Sequence, residues 1–174
     1  MKRILVISDS HGRNDDIEGV LQQVGHIDYM IHCGELERGD AYVRALVGCP
    51  CTIVSGNNDY YLDLPMEEII EIEGYKILVT HGHYYYVNSG VDNLKAYARE
   101  QGVDIAMFGH THVPYFEVDD ELTILNPGSL TYPRQMGRKP TFLMMEIDDN
   151  GKAHFGHGYY HSHFDELNIW REYR

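Results

Sequence analysis

Short apolar runs alternate with amphipathic stretches in the first part of the chain. The run RILVIS at residues 3–8 contains β-branched residues and predicts a strand buried on both faces. A set of apolar residues then follows helical spacing: Ile17, Val20, Leu21 and Val24. We expect Asn14 to cap this helix and Gly25 to end it. The opening segment is therefore predicted to be a strand, a loop and a helix.

The same unit recurs downstream. Residues 29–34 (YMIHCG) and 51–56 (CTIVSG) have the apolar character of strands, and residues 39–47 between them predict a weaker helix. A strand–helix–strand series of this kind favours a largely parallel sheet. The first third of the chain therefore indicates the α/β class.

The rest of the chain combines a hairpin, one further helix and several strands. Residues 67–82 predict two strands joined by a Glu-Gly turn. A helical pattern at residues 91–101 precedes the strand DIAMFG at residues 104–109. Later apolar runs separated by turn signals predict a β-rich final third, which ends in a strand and tail over residues 151–174.

Composition limits the classes of protein that remain. With 174 residues and 43% hydrophobic side chains, we expect a single domain over residues 1–174, without a signal peptide or membrane span, in the cytoplasm. A formal net charge of −13 repels a phosphate backbone, so neither a nucleic-acid duplex nor a membrane is expected as a partner. Cys33, Cys49 and Cys51 lack metal-type spacing and are expected to be reduced and buried.

Polar side chains follow the ends of five predicted strands. They carry carboxylate, amide or imidazole groups: Asp9, His11, Glu35, Asn57, His81, His110 and His112. In an open α/β sheet, the loops beyond the carboxyl ends of the strands converge on a ligand site. We therefore expect these residues, although distant in sequence, to meet at one edge of the fold.

Taken singly, some of these motifs also suit plain turns. Residues 9–11 (DSH) and 56–58 (GNN) contain the residue types that close turns by bonding to backbone. Residues 81–83 (HGH) and 110–112 (HTH) are harder to explain as turns, because two imidazoles at alternate positions are costly to bury without partners.

The type and number of donors indicate the ligand. Oxygen and imidazole donors without thiolate suit manganese, iron, zinc or nickel rather than calcium or an iron–sulfur cluster. Seven donors exceed one tetrahedral site. They suit two ions about 3.5–4 Å apart, which can activate water and stabilise an in-line displacement at phosphorus.

Six motifs occur in order along residues 4–147: ISDSHG, HCGE, SGNND, VTHGH, FGHTH and NPGS. Together they resemble the calcineurin-like metallophosphoesterases, specifically the small bacterial and archaeal phosphodiesterases of the YfcE type. The resemblance implies a four-layer α-β-β-α sandwich of two mixed sheets with flanking helices. It also implies a binuclear centre with two divalent ions, manganese first and zinc, iron or nickel as alternatives.

The resemblance also assigns the candidate ligands to the two ions. Those of the first ion are Asp9, His11 and His112, and those of the second are Asn57, His81 and His110. Glu35 would lie between the ions and bridge them. In this arrangement His110 and His112 are alternate residues of one extended loop that serves both ions.

Two positions depart from the family pattern. Glu35 stands where the family has Asp, and its additional methylene moves the carboxylate by about 1.5 Å. Asn58 stands where many relatives have a His that protonates the leaving group or steadies the phosphate. An amide can donate a hydrogen bond but cannot transfer a proton near neutral pH, so esters with a good leaving group should be favoured. His83 could replace the missing acid or hydrogen-bond a neighbouring ligand.

Several further motifs have two interpretations each. Residues 126–129 (NPGS) suit a Pro-Gly turn or the floor of the site, and Arg134 suits either a solvated loop or the neutralisation of a substrate phosphate. Residues 84–86 (YYY) could line a substrate or a subunit contact. Four late histidines match no metal template and are expected on an exposed strand and tail: His154, His157, His161 and His163.

These patterns predict a metal-dependent phosphodiesterase with a small phosphodiester as substrate. In the predicted mechanism, a hydroxide that bridges the two ions attacks phosphorus in line. The alternatives are a metal-poor, protein-binding scaffold of the same fold, as in a retromer subunit, and a phosphomonoesterase. Retention of the four metal-type histidines favours catalysis over the scaffold. The family also predicts a homodimer or a larger homo-oligomer.

Overall fold

The computed structural model describes residues 1–161, and its first sheet contains five strands. These strands are β1 (Lys2–Ile7), β2 (Tyr29–His32), β3 (Cys51–Ile53), β9 (Thr141–Ile147) and β10 (Ala153–Tyr159). Their order is β10-β9-β1-β2-β3. Strands β1, β2 and β3 are parallel, whereas β9 runs antiparallel to both β1 and β10, so the sheet is mixed.

The second sheet is also mixed and also has five strands. They are β4 (Glu67–Ile72), β5 (Tyr75–Thr80), β6 (Ile105–Met107), β7 (Tyr115–Val118) and β8 (Thr123–Asn126). Their order is β4-β5-β6-β8-β7. Strands β5, β6 and β8 are parallel, and the antiparallel strands β4 and β7 lie at the two edges.

Three helices complete the four layers in the described part of the chain: α1 (Asn14–Val24), α2 (Asp40–Val47) and α3 (Asp92–Glu100). Helices α1 and α2 share an apolar cluster with the outer face of the first sheet, and α3 shares one with the outer face of the second. A third cluster joins the inner faces of the two sheets. The protein is therefore the α-β-β-α sandwich that the motifs implied.

Strand β1 explains how the apolar runs produce this layering. Ile4 and Val6 belong to the cluster between the sheets, whereas Leu5 and Ile7 belong to the cluster with α1 and α2. All four side chains are fully buried, so the strand carries apolar residues on both faces. Burial of each such side chain contributes about 1.5–3 kcal/mol.

The parallel strands of both sheets end at the same edge of the sandwich. The loop after β1 is joined to the loop after β2 by the backbone bond from Asp9 N to Gly34 O (3.0 Å). The loop after β6 is joined to the end of β5 by the bond from Gly109 N to His81 O (3.1 Å). His110 N donates to Asp9 Oδ2 (3.1 Å), which joins the loop after β6 to the loop after β1, so polar residues from both sheets face a common space.

Most elements were predicted from the sequence, with some corrections. The cap of α1 was predicted wrongly: Asn14 is the first helical residue, and its side-chain amide donates to Arg38 O (3.3 Å) instead of capping the helix. The Asn14 side chain thus makes a tertiary contact with a distant loop instead of a local cap. All three cysteines are free, but only Cys33 is buried, whereas Cys49 and Cys51 are half-buried. Two short 3-10 turns, His83–Tyr85 and Val87–Ser89, were not predicted.

The C-terminal segment is described only in part. The predicted strand after residue 151 is confirmed as β10, with His154 exposed and His157 half-buried instead of exposed. His161 is also half-buried instead of exposed, and residues 162–174, with His163, lie outside the described residues. Within residues 1–161, no helix is both long and apolar enough to cross a membrane.

Candidate metal centre

The loops after the parallel strands have an unusual backbone conformation. Five of the seven candidate ligands have positive φ angles, in the left-handed region: Asp9 (53°), His11 (46°), Glu35 (61°), His110 (70°) and His112 (59°). The expectation of an extended loop at His110 and His112 was therefore wrong. Such angles cost a non-glycine residue roughly 1 kcal/mol or more and persist where surrounding contacts impose them, typically at functional sites.

One group of ligand atoms comes from the loops after β1 and β6. His11 Nε2 lies 3.1 Å from His112 Nε2, and Asp9 Oδ1 lies 3.2 Å from His112 Nε2. Asp9 Oδ1 also lies 3.9 Å from His11 Nε2. These are the three residues expected to hold the first ion, and each can offer one donor atom within 4.8 Å of the other two.

A second group lies beside the first. His81 Nε2 lies 3.1 Å from Asn57 Oδ1 and 3.2 Å from His110 Nδ1. Glu35 Oε1 lies 3.7 Å from His81 Nε2. Glu35 also offers an oxygen within 4.8 Å of a His11 ring nitrogen, so its carboxylate lies between the two groups despite the longer side chain.

Hydrogen bonds on the far side of three imidazoles decide which nitrogen faces the cluster. The Nδ1 atom of His112 donates to Tyr132 O (2.7 Å), and that of His81 donates to Cys33 O (2.7 Å). His11 Nδ1 lies 2.7 Å from a Glu37 carboxylate oxygen. Because carbonyl and carboxylate oxygens only accept, the neutral rings carry a lone pair on each Nε2.

A bound cation would stabilise the ligand atoms that face one another in the cluster. When neutral, His11 and His112 direct two lone pairs at each other across 3.1 Å, with no proton between them. Asp9 Oδ1 and Glu35 Oε2 are buried and accept no hydrogen bond within the described residues. Buried unpartnered carboxylate oxygens are costly, and an ion with nitrogen and oxygen ligands satisfies them. The residues present therefore fit divalent metal ions.

The two central carboxyl groups differ in their pKa values. Burial tends to raise the pKa of Asp9, but the adjacent imidazoles of His112 and His81, when protonated, outweigh it and lower the value to about 2. Burial is the main cause that raises the pKa of Glu35 to about 7. Asp9 is therefore a fixed negative charge, whereas Glu35 requires a nearby positive charge to remain ionised at neutral pH.

Several residues that support these ligands were not identified from the sequence. Asp59 is buried, and its Oδ2 accepts from Glu35 N (2.8 Å) and Gly56 N (2.7 Å), which joins the loops after β2 and β3. A Cβ atom at Gly109 would lie 2.0 Å from Ser8 Oγ. The signals were an acidic residue directly after GNN and a glycine directly before HTH, but their partners are distant in sequence.

Buried His32, within the HCGE motif, is another supporting residue. Its Nδ1 accepts from Gly34 N (3.1 Å), and its Nε2 lies 2.8 Å from Ser10 Oγ. Burial lowers the pKa of His32 to about 4, so the ring is neutral and holds two ligand loops together.

The residues that the sequence suggested for catalysis or substrate binding lie around the two groups of ligand atoms. Asn58 N donates to Glu35 Oε1 (2.8 Å), and the Asn58 side chain is exposed. His83 is half-buried: its ring lies 5.9 Å from that of His110, and its buried Nδ1 has no hydrogen-bond partner among the described residues, so it does not hydrogen-bond a ligand through that atom. Arg134 N donates to His112 O (3.0 Å), and its side chain is exposed.

The NPGS segment supports the loop after β1. Ser129 Oγ donates to Asp9 O (2.8 Å), and Thr131 Oγ1 donates to Ser10 O (2.9 Å). The Tyr132 ring lies against the His11 ring at 5.2 Å. Ser129 of this motif, with Thr131 and Tyr132 after it, therefore holds the loop that carries Asp9 and His11.

The three consecutive tyrosines have different environments. Tyr85 is half-buried, where its hydroxyl donates to Glu67 (2.5 Å) and its ring stacks on Tyr97. Tyr84 and Tyr86 are exposed, and the Tyr84 ring lies 4.2 Å from that of His83. Only Tyr84 and Tyr86 are thus available to line a substrate or a contact with another subunit.

Residues 1–150 match the family model of the calcineurin-like phosphoesterase superfamily domain. The chain belongs to this superfamily. It is 33% identical over 148 residues to the probable metallophosphoesterase YsnB of Bacillus subtilis, a match that covers 84% of this chain and 85% of the relative. A probable metallophosphoesterase of Methanocaldococcus jannaschii is 36% identical over 132 residues, covering 74% of this chain and 68% of the relative.

Solved structures agree with this membership. A predicted phosphoesterase from Streptococcus pneumoniae superposes with a TM-score of 0.77 at 33% identity, covering 91% of this chain and 88% of that one.

The names of two further relatives bear on function. A phosphodiesterase of M. jannaschii is 26% identical over 72% of this chain and 82% of its own length. A Vps29 variant of Entamoeba histolytica is 25% identical, with a TM-score of 0.72, over 91% of this chain and 99% of that one.

Proposed function

We propose that this protein is a metal-dependent phosphodiesterase with a binuclear centre and a small phosphodiester as substrate. The observation that carries the proposal is the convergence of seven donor side chains around the buried, unpartnered oxygens of Asp9 and Glu35. Membership of the superfamily supports hydrolysis of phosphoric esters. The phosphodiesterase among the relatives supports a diester as the substrate.

The two groups of ligand atoms would each hold one divalent ion, with Glu35 between them. Manganese is the first candidate by resemblance to the family, since imidazole, carboxylate and amide donors without thiolate suit manganese, iron, zinc and nickel alike. When bound, the ions supply an acidified water and the positive charge that an in-line displacement at phosphorus requires. The far-side bonds of His11, His81 and His112 keep each Nε2 directed into the cluster, where it would be available to a bound ion.

Substrate contacts are assigned to two exposed side chains beside the ligand groups. Asn58 follows the ligand Asn57, and its amide can donate to a phosphoryl oxygen. Arg134 is on the loop that binds the His112 carbonyl, and its guanidinium can pair with a phosphate. Neither side chain transfers a proton near neutral pH, so we expect substrates whose leaving group needs no protonation.

The test combines metal content with diester hydrolysis. Metal-free protein is titrated with Mn²⁺ and then assayed with bis(p-nitrophenyl) phosphate and with p-nitrophenyl phosphate. We expect about two ions per chain and faster hydrolysis of the diester. Faster hydrolysis of the monoester would instead identify a phosphomonoesterase, and a protein that binds no divalent ion would contradict the proposal.

A second candidate is a protein-binding scaffold of the same fold. It is favoured by the likeness to Vps29 and by two departures, Glu35 and Asn58, from the family pattern. Bound metal without turnover of either ester would support it. The far-side bonds that orient three imidazoles favour the enzyme, because a protein-binding surface does not need ring nitrogens directed into a buried cluster of ligand atoms.

A further inference from the structure

A carboxylate outside the predicted ligand set contacts one of the ligands. Glu37 lies two residues after Glu35, and its Oε1 is 2.7 Å from His11 Nδ1. The ionised carboxylate only accepts, so His11 donates from Nδ1 and keeps its lone pair on Nε2. That Nε2 is the atom 3.1 Å from His112 Nε2. Glu37 therefore acts on the face of His11 opposite the cluster.

The backbone of Glu37 is held in the position that this contact needs. Its φ angle is 69°, in the left-handed region that non-glycine residues avoid. Its N–H donates to Asp59 Oδ1 (2.6 Å), while Asp59 Oδ2 accepts from Glu35 N (2.8 Å). The buried Asp59 carboxylate thus holds the Glu37 backbone in a strained conformation, from which the Glu37 side chain contacts His11.

We propose that Glu37 is a positioning residue that orients His11 and raises the affinity of the first group for a divalent cation. The inference rests on the proposed function, because it requires a cation at His11 Nε2. A carboxylate on the far nitrogen of a ligating imidazole fixes its tautomer and increases its basicity. Glu37 does this from a partly exposed position, with 35% of its side chain accessible.

The first measurement is the affinity for Mn²⁺ alone, by calorimetric titration of metal-free protein. In Glu37→Ala we expect one of the binding events to weaken roughly 10- to 100-fold, with the other within about twofold of wild type. Glu37→Gln retains an oxygen acceptor without the charge, so its loss should be smaller than that of Glu37→Ala. The matched control is Glu71→Gln, which removes the same charge from an exposed position on β4.

The second measurement separates positioning from a general loss of structure. In metal-free wild type, long-range ¹H–¹⁵N correlation should show His11 protonated on Nδ1 and unprotonated on Nε2. We expect Glu37→Ala to populate the Nε2–H tautomer, while the melting temperature of the metal-free protein stays close to that of Glu71→Gln.

Two results would overturn this inference. One is wild-type Mn²⁺ affinity in Glu37→Ala, and the other is a loss of affinity with an unchanged His11 tautomer, which would make Glu37 a direct ligand. Failure of the proposed function is distinguishable, since it would show in the wild-type protein itself, either as an absence of Mn²⁺ binding or as bound Mn²⁺ without turnover of either ester.

Discussion

His11 and His112 are separated by 101 positions in sequence, yet their Nε2 atoms lie 3.1 Å apart. Each ring is turned by an acceptor on its other nitrogen, Glu37 for His11 and the Tyr132 carbonyl for His112. Without a cation or a proton between them, these lone pairs repel each other. A bound cation would remove this repulsion, so the pair fits a metal ion at this position.

Replacement of His112 by alanine is expected to reduce kcat/KM for the diester by at least about 100-fold, because the first ion loses a ligand. The fold should be retained, since His112 lies in a loop at the edge of the sandwich. Steady-state kinetics in Mn²⁺ with circular dichroism provides the check. His26→Ala is the control, as His26 is 79% exposed and interacts with Asp28 instead of the cluster. Near-normal rates in His112→Ala would contradict the ligand assignment.

Mn²⁺ should stabilise the wild-type protein but not Asp9→Asn. An ion that binds only the folded state at 100 times its Kd contributes about 2.7 kcal/mol to the free energy of unfolding. Asp9→Asn removes the negative charge at the centre of the first group and so loses much of this effect. Thermal melts with and without Mn²⁺ measure the difference. An equal rise of Tm in both proteins would place the stabilising ion elsewhere.

Gly109→Ala is expected to lower the free energy of unfolding by about 1–3 kcal/mol. The added Cβ would lie 2.0 Å from Ser8 Oγ and 2.8 Å from Asp9 Oδ2, so the loops after β1 and β6 must separate. Chemical denaturation is the measurement. Gly156→Ala is the matched control, because its Cβ would have no neighbour within 4 Å. Equal stability of the two variants would show that the close approach at Gly109 is not required.

Asp59→Asn should destabilise the protein by about 1–3 kcal/mol, because an amide cannot accept all three backbone N–H bonds of this carboxylate. The Mn²⁺ affinity should fall as well, since Asp59 positions Glu35 through its backbone. Urea unfolding and Mn²⁺ titration test both effects. Asp63→Asn, at an exposed position of the same loop, should change neither. If the two variants behaved alike, the proposed role of Asp59 would be wrong.

The sequence predicted the fold well where the structure of a segment depends on the pattern of apolar residues within that segment. The run at residues 3–8 became a strand buried on both faces, and the spacing from Ile17 to Val24 became helix α1. The prediction failed at Asn14, whose side chain bonds Arg38 O instead of the helix end. The competing acceptor belongs to another loop, and no pattern around Asn14 indicates it.

The candidate ligands were predicted because strand ends have a recognisable pattern, an apolar run followed by a polar residue. The supporting residues have no such pattern. Asp59 and Glu37 each look like ordinary acidic loop residues in sequence. Their roles depend on hydrogen bonds to Glu35 N and His11 Nδ1, and on a left-handed backbone at Glu37.

The sequence by itself determined the order of strands and helices, the α/β class and the identity of the donor groups. Only the tertiary structure decided which nitrogen of each imidazole faces the cluster, which carboxylate oxygens are left without a donor, and which residues hold the ligands. The physical reason is the separation along the chain over which each kind of interaction acts. Hydrophobic periodicity and turn preferences act between neighbours in the chain, whereas the geometry of the site depends on contacts between loops that only the packed sheets bring together.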